Sequence, residues 1–324
     1  MDNTIVRPLK LTSERAWRTY LGGKLLDRLH GKPDGGDGRF PEEWIMSLVS
    51  ARNAGRENIV EGLSRLADEP SVTLKSLVEA HPAEMLGKAH AEKHGPSAGV
   101  LVKLIDSSER LTVQVHPTRA KARELFGSPY GKTECWHILG GREINGSSPC
   151  VYLGFKPGVS RARWRELFER QDIPAMLDCL HRFDVYPGET ILLEGGVPHA
   201  IGAGCFLVEI QEPTDYTIRV ERTTPSGFQV DDFMCHQGLG FERMFDCFEY
   251  AAFTQEETRR RWFIAPRPLS RDASGSITTL LGYETTPFFR LDLVEVQKEA
   301  EIAPQEVFFG VYALEGRGSL AGAG

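Results

Sequence analysis

The segment Leu111-Thr112-Val113-Gln114-Val115-His116-Pro117 alternates apolar and polar residues. On a strand, successive side chains point to opposite faces, so Thr112, Gln114 and His116 are expected to share one. Two potential ligands at i and i+2 on an inward face are a way for a β-structure to present a metal ion. A lone buried histidine bonded to a neighbour is the commoner outcome, so the spacing alone is weak. In Gly131-Lys132-Thr133-Glu134-Cys135-Trp136 an acid opens an apolar strand, two positions after a lysine. Alone, it reads as a solvated strand edge. In Leu193-Glu194-Gly195-Gly196-Val197-Pro198-His199-Ala200-Ile201-Gly202 a histidine enters a strand after a glycine-rich turn, and a turn is the plain reading.

Taken together, these segments make a candidate set of two histidines, one glutamate and one glutamine. Imidazole and carboxylate suit zinc and the other first-row divalent ions. A neutral amide oxygen leaves such a site net positive, which favours Lewis-acid work on a substrate oxygen. Further along, Glu209 stands inside the apolar run Phe206-Leu207-Val208-Glu209-Ile210, an odd place for a charge unless it faces a polar cavity. Arg219 ends the short run Tyr216-Thr217-Ile218-Arg219, where it could simply pair with Asp215 across the turn.

The elements that must position these residues change character along the chain. Residues 11–31 read as a short helix, with Leu25, Leu26 and Leu29 at helical spacing. A Gly/Asp-rich loop follows. Residues 71–92 read as helical, with Pro82 ending one helix and starting the next. From about residue 99, short apolar or alternating runs dominate: VLVKLID, LTVQVHP, ECWHIL, CVYLGF, TILLEGGVPHAIG, CFLVEIQ and YTIRVER. Gly, Pro, Ser and Asp turns separate them, the pattern of a β-sandwich or small barrel. One helical stretch near 159–181 reads as an insertion, because strand–helix alternation is not sustained. Beyond residue 240, FDCFEYAAFT, FFRLDLVEVQ and EVFFGVYALEGRGSL read as a second, smaller strand-rich unit. The division expected is 1–238 for the main domain and 239–324 for the smaller one. The last residues stop where a barrel would continue, so the smaller unit is expected to be incomplete.

With 324 residues, 41% of them hydrophobic, the chain can bury one large core or two modest ones. No run approaches the apolar length of a membrane span, and the N-terminus has no apolar stretch of the kind a secretory signal needs. A cytoplasmic location is the expectation, with the six scattered cysteines reduced. The net charge of −7 argues against non-specific nucleic-acid binding.

Jointly, RAWRTYLGGKLL, FPEEWIMS, LVKLIDSSERLTVQVHP, GKTECWHIL, LLEGGVPHAIG and TDYTIRVER resemble class I mannose-6-phosphate isomerases, in particular the shorter bacterial branch. The resemblance covers nearly the whole chain and rests on the order and combination of short motifs. It implies a mainly β fold of cupin jelly-roll type, two barrel-like units with a few flanking and inserted helices. It implies one Zn²⁺ per chain, held by Gln114, His116, Glu134 and His199. It further implies Arg219, Lys132 and Asp215 as catalytic residues, and Thr112, Lys103 and Glu209 as substrate-binding ones. Trp17, Glu43 and Trp44 fall in matching motifs without an assigned role. The large helical domain of longer members is absent. The implied reaction interconverts mannose 6-phosphate and fructose 6-phosphate through a cis-enediol, with the metal and Arg219 stabilising the growing oxyanion. The implied partner is a small sugar phosphate, with no nucleic acid and no membrane. Rival readings are another metal-dependent cupin enzyme, such as an Fe(II) dioxygenase with two histidines and a carboxylate, or a non-catalytic sugar-phosphate-binding cupin.

Overall fold

The structure is a computed structural model that describes residues 8–53, 55–302 and 308–321. In chain order its strands are β1 (Glu14–Ala16), β2 (Glu42–Ile45), β3 (Leu101–Asp106), β4 (Gln114–Val115), β5 (Glu134–Gly141), β6 (Cys150–Phe155), β7 (Leu180–Asp184), β8 (Thr190–Leu193), β9 (His199–Ile201), β10 (Cys205–Gln211), β11 (Ile218–Arg219), β12 (Phe263–Ile264), β13 (Arg267–Arg271), β14 (Gly275–Leu281) and β15 (Leu291–Val296). They form a seven-stranded sheet, β1-β2-β3-β10-β5-β8-β12, a five-stranded sheet, β11-β4-β9-β6-β7, and a three-stranded sheet, β13-β14-β15. Every ladder between these strands is antiparallel. The protein is therefore mainly β with few helices, and among the described residues no sheet closes into a barrel.

One row of directly opposed residues crosses the large sheet: Trp44, Lys103, Glu209, Trp136 and Ile191. Alternation puts Glu42, Ile105, Leu207, Ile138, Gln211 and Glu134 on the same face. That face is mixed in polarity. Ile105, Leu207, Ile138, Trp136 and Ile191 join an apolar core with Val151, Leu153 and Ile201 of the five-stranded sheet. Glu42, opposite Ile105, and Lys103, Glu209, Gln211 and Glu134 share the face and are also buried. On the opposite face, Leu104, Val102, Phe206 and Val208 pack under Leu26, Tyr312 and Leu314. A sheet with one apolar outer face and a half-polar inner face can bury charge only where the charges pair.

The expected helix over 11–31 is confined to Lys24–Leu29. That helix contains Leu25, Leu26 and Leu29, so the leucine spacing holds. Glu14, Arg15 and Ala16 instead pair with Trp44, Glu43 and Glu42, and Gly23 caps the helix start at φ 107°, so tertiary pairing decides the residues before it. The helical reading of 71–92 holds as Leu74–Ala80, Pro82–Leu86 and Lys88–His94, with Pro82 opening the second helix. The stretch near 159–181 holds as two helices, Arg161–Arg170 and Ile173–Asp178.

Two strand readings fail. Residues 245–254 form a 3-10 turn over Met244–Cys247 and a loop, because Phe245 and Phe248 point together into a core with Trp164 and Phe168. Residues 308–321 contain no strand; Tyr312 and Leu314 lie across the back of β2 and β3 instead. The preceding part of that stretch lies outside the described residues. β12 joins the large sheet beside β8, while Leu281 and Phe289 set the three-stranded sheet against Cys135, Leu192 and Ile210. No helix among the described residues is long and apolar enough to cross a membrane.

Candidate metal centre

Short ladders deliver the candidate ligands. In the five-stranded sheet Gln114 of β4 lies between His199 of β9 and Arg219 of β11, so all three share a face. Val113 and Val115 take the other face and enter the core with Ile218 and Ala200. The alternation read from residues 112–116 is thus realised. Glu134 arrives from the facing sheet, at the start of β5. Gly195 and Gly131 allow the close approach: a Cβ at either would stand 2.7 Å from the carbonyl oxygen of Pro117. Gly196 N–H also donates to the carbonyl of His116 at 2.7 Å, tying the two histidine loops together.

The ligand atoms of His116, Glu134 and His199 lie within 4.8 Å of one another, all buried. His116 Nε2 is 3.1 Å from Glu134 Oε2 and His199 Nε2 is 3.3 Å from Glu134 Oε1. Each imidazole is oriented from behind: Nδ1 of His116 donates to the Tyr216 carbonyl at 2.9 Å, and Nδ1 of His199 to the Val197 carbonyl at 2.8 Å. That assignment leaves both Nε2 atoms as lone-pair donors facing Glu134. Gln114 reaches the same point, its amide 3.3 Å from His199 Nε2. Both Glu134 carboxylate oxygens are buried without a hydrogen bond. The cation balancing them is the Lys132 ammonium, 3.1 Å from Glu134 Oε2 and 2.9 Å from His116 Nε2.

Burial, then the Lys132 charge, pushes the His116 imidazole down to about 3. Burial also lowers His199. Burial alone would raise Glu134, but the Lys132 charge holds it well below the usual carboxylate range. A buried carboxylate without hydrogen bonds, facing two neutral imidazole lone pairs, is a donor set that fits a divalent first-row ion.

Beside this cluster opens a pocket lined by charges from both sheets. Lys132, Lys103, Glu209, Asp215, Arg219 and Thr112 all line it, so the structure brings the expected catalytic and substrate residues together. Lys103 Nζ donates to Glu209 Oε1 at 2.8 Å, and Trp136 Nε1 donates to Glu209 Oε2 at 3.1 Å. Burial alone would lower the Lys103 pKa; Glu209 and Glu42 raise it instead. Asp215 pairs with Arg18 rather than Arg219. Burial opposes ionisation of Asp215, yet Arg18, Lys103 and Lys132 drive its pKa far down. Arg219 Nη1 donates to the carbonyls of Met234 at 2.9 Å and Thr217 at 3.2 Å, and burial lowers its pKa.

Sequence reasoning missed Arg18, Tyr20, Glu42 and Asn53, which also line the pocket. The only available signal was the charge inside RAWRTY and the acid two positions before Trp44. Of the unassigned motif residues, Trp44 donates from Nε1 to Glu42 at 2.8 Å. Glu43 faces away from the pocket, held by His30 at 2.6 Å and Tyr312 at 2.7 Å. The Arg39 and Arg56 guanidinium groups each lie over the Trp17 ring.

Fold and site define an antiparallel β protein with a buried His–Glu–His cluster, suited to a divalent metal, beside a charge-lined pocket. The proteins it is similar to are mannose-6-phosphate isomerases. A mannose-6-phosphate isomerase of Streptococcus mutans is 31% identical over 154 residues, 46% of this chain and 46% of that protein. Mannose-6-phosphate isomerase ManA of Bacillus subtilis is 30% identical over 152 residues, 46% and 43% of the two chains. The matched part thus spans about half the length of these curated relatives. No protein-family model matches. The crystal structure of the mannose 6-phosphate isomerase from Bacillus subtilis superposes with a TM-score of 0.67 at 23% identity, covering 92% of this chain and 82% of that one. A zinc-bound mannose 6-phosphate isomerase gives 0.57 at 15% identity, over 84% and 83%. The fold is shared with these structures, and the resemblance drawn from the motifs recurs in the curated relatives over 46% of the chain.

Proposed function

We propose that this protein is a zinc-dependent aldose–ketose isomerase that interconverts mannose 6-phosphate and fructose 6-phosphate through a cis-enediol. The observation that carries the reading is the buried cluster of His116, Glu134 and His199, with neither Glu134 oxygen hydrogen-bonded, opening onto a pocket of paired charges. Gln114, His116, Glu134 and His199 would hold the ion. Bound there, Zn²⁺ would act as a Lewis acid on the substrate's carbonyl and hydroxyl oxygens.

The pocket's own charges suit a phosphorylated sugar. Its lining carries four cations, Arg18, Lys103, Lys132 and Arg219, against three anions, Glu42, Glu209 and Asp215. Counting Glu134 brings the site to neutrality, so a divalent cation leaves room for a phosphate dianion. Arg219 is the cation with no carboxylate within 4 Å among the described residues, and Nη1 alone meets the backbone carbonyls. Its other N–H groups can meet negative charge growing on a substrate oxygen. Lys132 and Asp215 share the proton step between C1 and C2, directly or through water. Lys103, held straight by Glu209, and Thr112 serve the sugar and phosphate oxygens.

The same reading places the two larger sheets as walls of a cupin jelly roll, residues 1–238 as the catalytic unit and 239–324 as a smaller barrel-like unit. Residues up to Ile264 would then pack onto the first unit, and β13–β15 would be the body of the second. The free thiols support a cytoplasmic setting. Metal content measured beside a coupled assay with mannose 6-phosphate tests the proposal. Stoichiometric zinc and chelator-sensitive isomerisation are expected. A zinc-loaded protein inert on mannose 6-phosphate would refute it.

A further inference from the structure

Arg18 is buried, 5% exposed, in the lining of the pocket. Its Nε donates to Glu42 Oε2 at 2.8 Å, while Nη1 and Nη2 reach Asp215 Oδ2 and Oδ1 at 3.3 and 3.5 Å. The guanidinium lies over the Trp44 ring, 5.0 Å from its centroid. The two acids depend on it unequally. Glu42 also accepts from Tyr20 Oη and Trp44 Nε1, each at 2.8 Å. Among the described residues Asp215 accepts no hydrogen bond except those of Arg18. Glu42 and Trp44 therefore fix Arg18, and Arg18 fixes Asp215.

We infer that Arg18 is a positioning residue, which holds the Asp215 carboxylate in the orientation it needs toward the sugar. The inference rests on the isomerase reading given above. Without the guanidinium, Asp215 still faces Lys103, Lys132 and Arg219 and would turn toward one of them. A lysine cannot replace it, because a single ammonium lacks the planar fork that bonds two carboxylates at once.

The test uses the zinc-loaded protein and four variants: Arg18→Lys, Arg18→Met, Asp215→Asn and the double Arg18→Met/Asp215→Asn. Both Arg18 variants are expected to keep wild-type zinc content and to lose roughly 10²-fold in kcat, the scale of a misplaced reacting group. Arg18→Met should add little in the Asp215→Asn background, since both changes act through one carboxylate. A kcat within about threefold of wild type, or losses that multiply in the double variant, would overturn the inference. If Arg18→Met does not fold, Arg18→Lys decides it by the same kcat criterion. Should wild type be inert on mannose 6-phosphate, the proposed function fails instead. The same four-variant cycle read by urea unfolding then judges the bridge, and additive effects on stability overturn it.

Discussion

Glu42 is 4% exposed and accepts three hydrogen bonds of 2.8 Å from Arg18, Tyr20 and Trp44. Burial alone would raise its pKa, but Arg18, then Lys103, bring it from 4.5 down to about 2. A carboxylate whose folded pKa is depressed adds stability above its unfolded pKa, and that stability is lost as pH falls toward the folded value. At about 1.36 kcal/mol per pH unit, the displacement is worth about 3 kcal/mol at pH 7 and about 1 kcal/mol at pH 3. Glu42→Gln keeps the volume, removes the charge and leaves the Arg18 guanidinium short of a partner. Urea unfolding at pH 7 should find the variant less stable by about 3 kcal/mol, within the range for breaking a buried ion pair. The gap to wild type should then shrink between pH 4.5 and pH 3. A gap that stays constant from pH 7 to pH 3 would refute the idea that ionised Glu42 anchors Arg18 in the pocket lining.

His199→Ala should lose zinc and turnover together while circular dichroism stays near that of wild type; full activity in the metal-free variant would rule the site out. Arg219→Ala should retain zinc and lose about 10²–10³-fold in kcat, the scale for removing one donor to a developing oxyanion; near-normal turnover would remove its role. Gly195→Ala would force a Cβ to 2.7 Å from the Pro117 carbonyl oxygen and 2.8 Å from Thr118 N, where overpacking costs about 1–3 kcal/mol. It should lower the melting temperature and weaken zinc retention, because the same loops carry His116 and His199. Unchanged values of both would show that the loops have slack.

Local pattern carried the residues whose partners are set by strand alternation. Thr112, Gln114 and His116 could be put on one face from their spacing, and Glu209 was marked by its charge inside an apolar run. Pro82 opened a helix as its missing N–H and fixed φ require. Such features depend on the nearest few residues, so the sequence contains them.

What lay beyond it were contacts across the sheet order β1-β2-β3-β10-β5-β8. Arg18 and Asp215 meet across 197 positions, and no periodicity encodes that meeting. The helical reading held over the spaced leucines but ran back to residue 11, where pairing of Glu14–Ala16 with β2 makes a strand, and aromatic runs argued for strands where Phe245 and Phe248 fill a core instead. The candidate ligands were thus legible in the sequence by residue type and face. Only the tertiary structure decided that Glu134 stands opposite the two histidines, paired with Lys132, and that Arg18 rather than Arg219 holds Asp215. Residue type and alternation are properties of a single segment; burial and charge pairing belong to several segments brought together by folding.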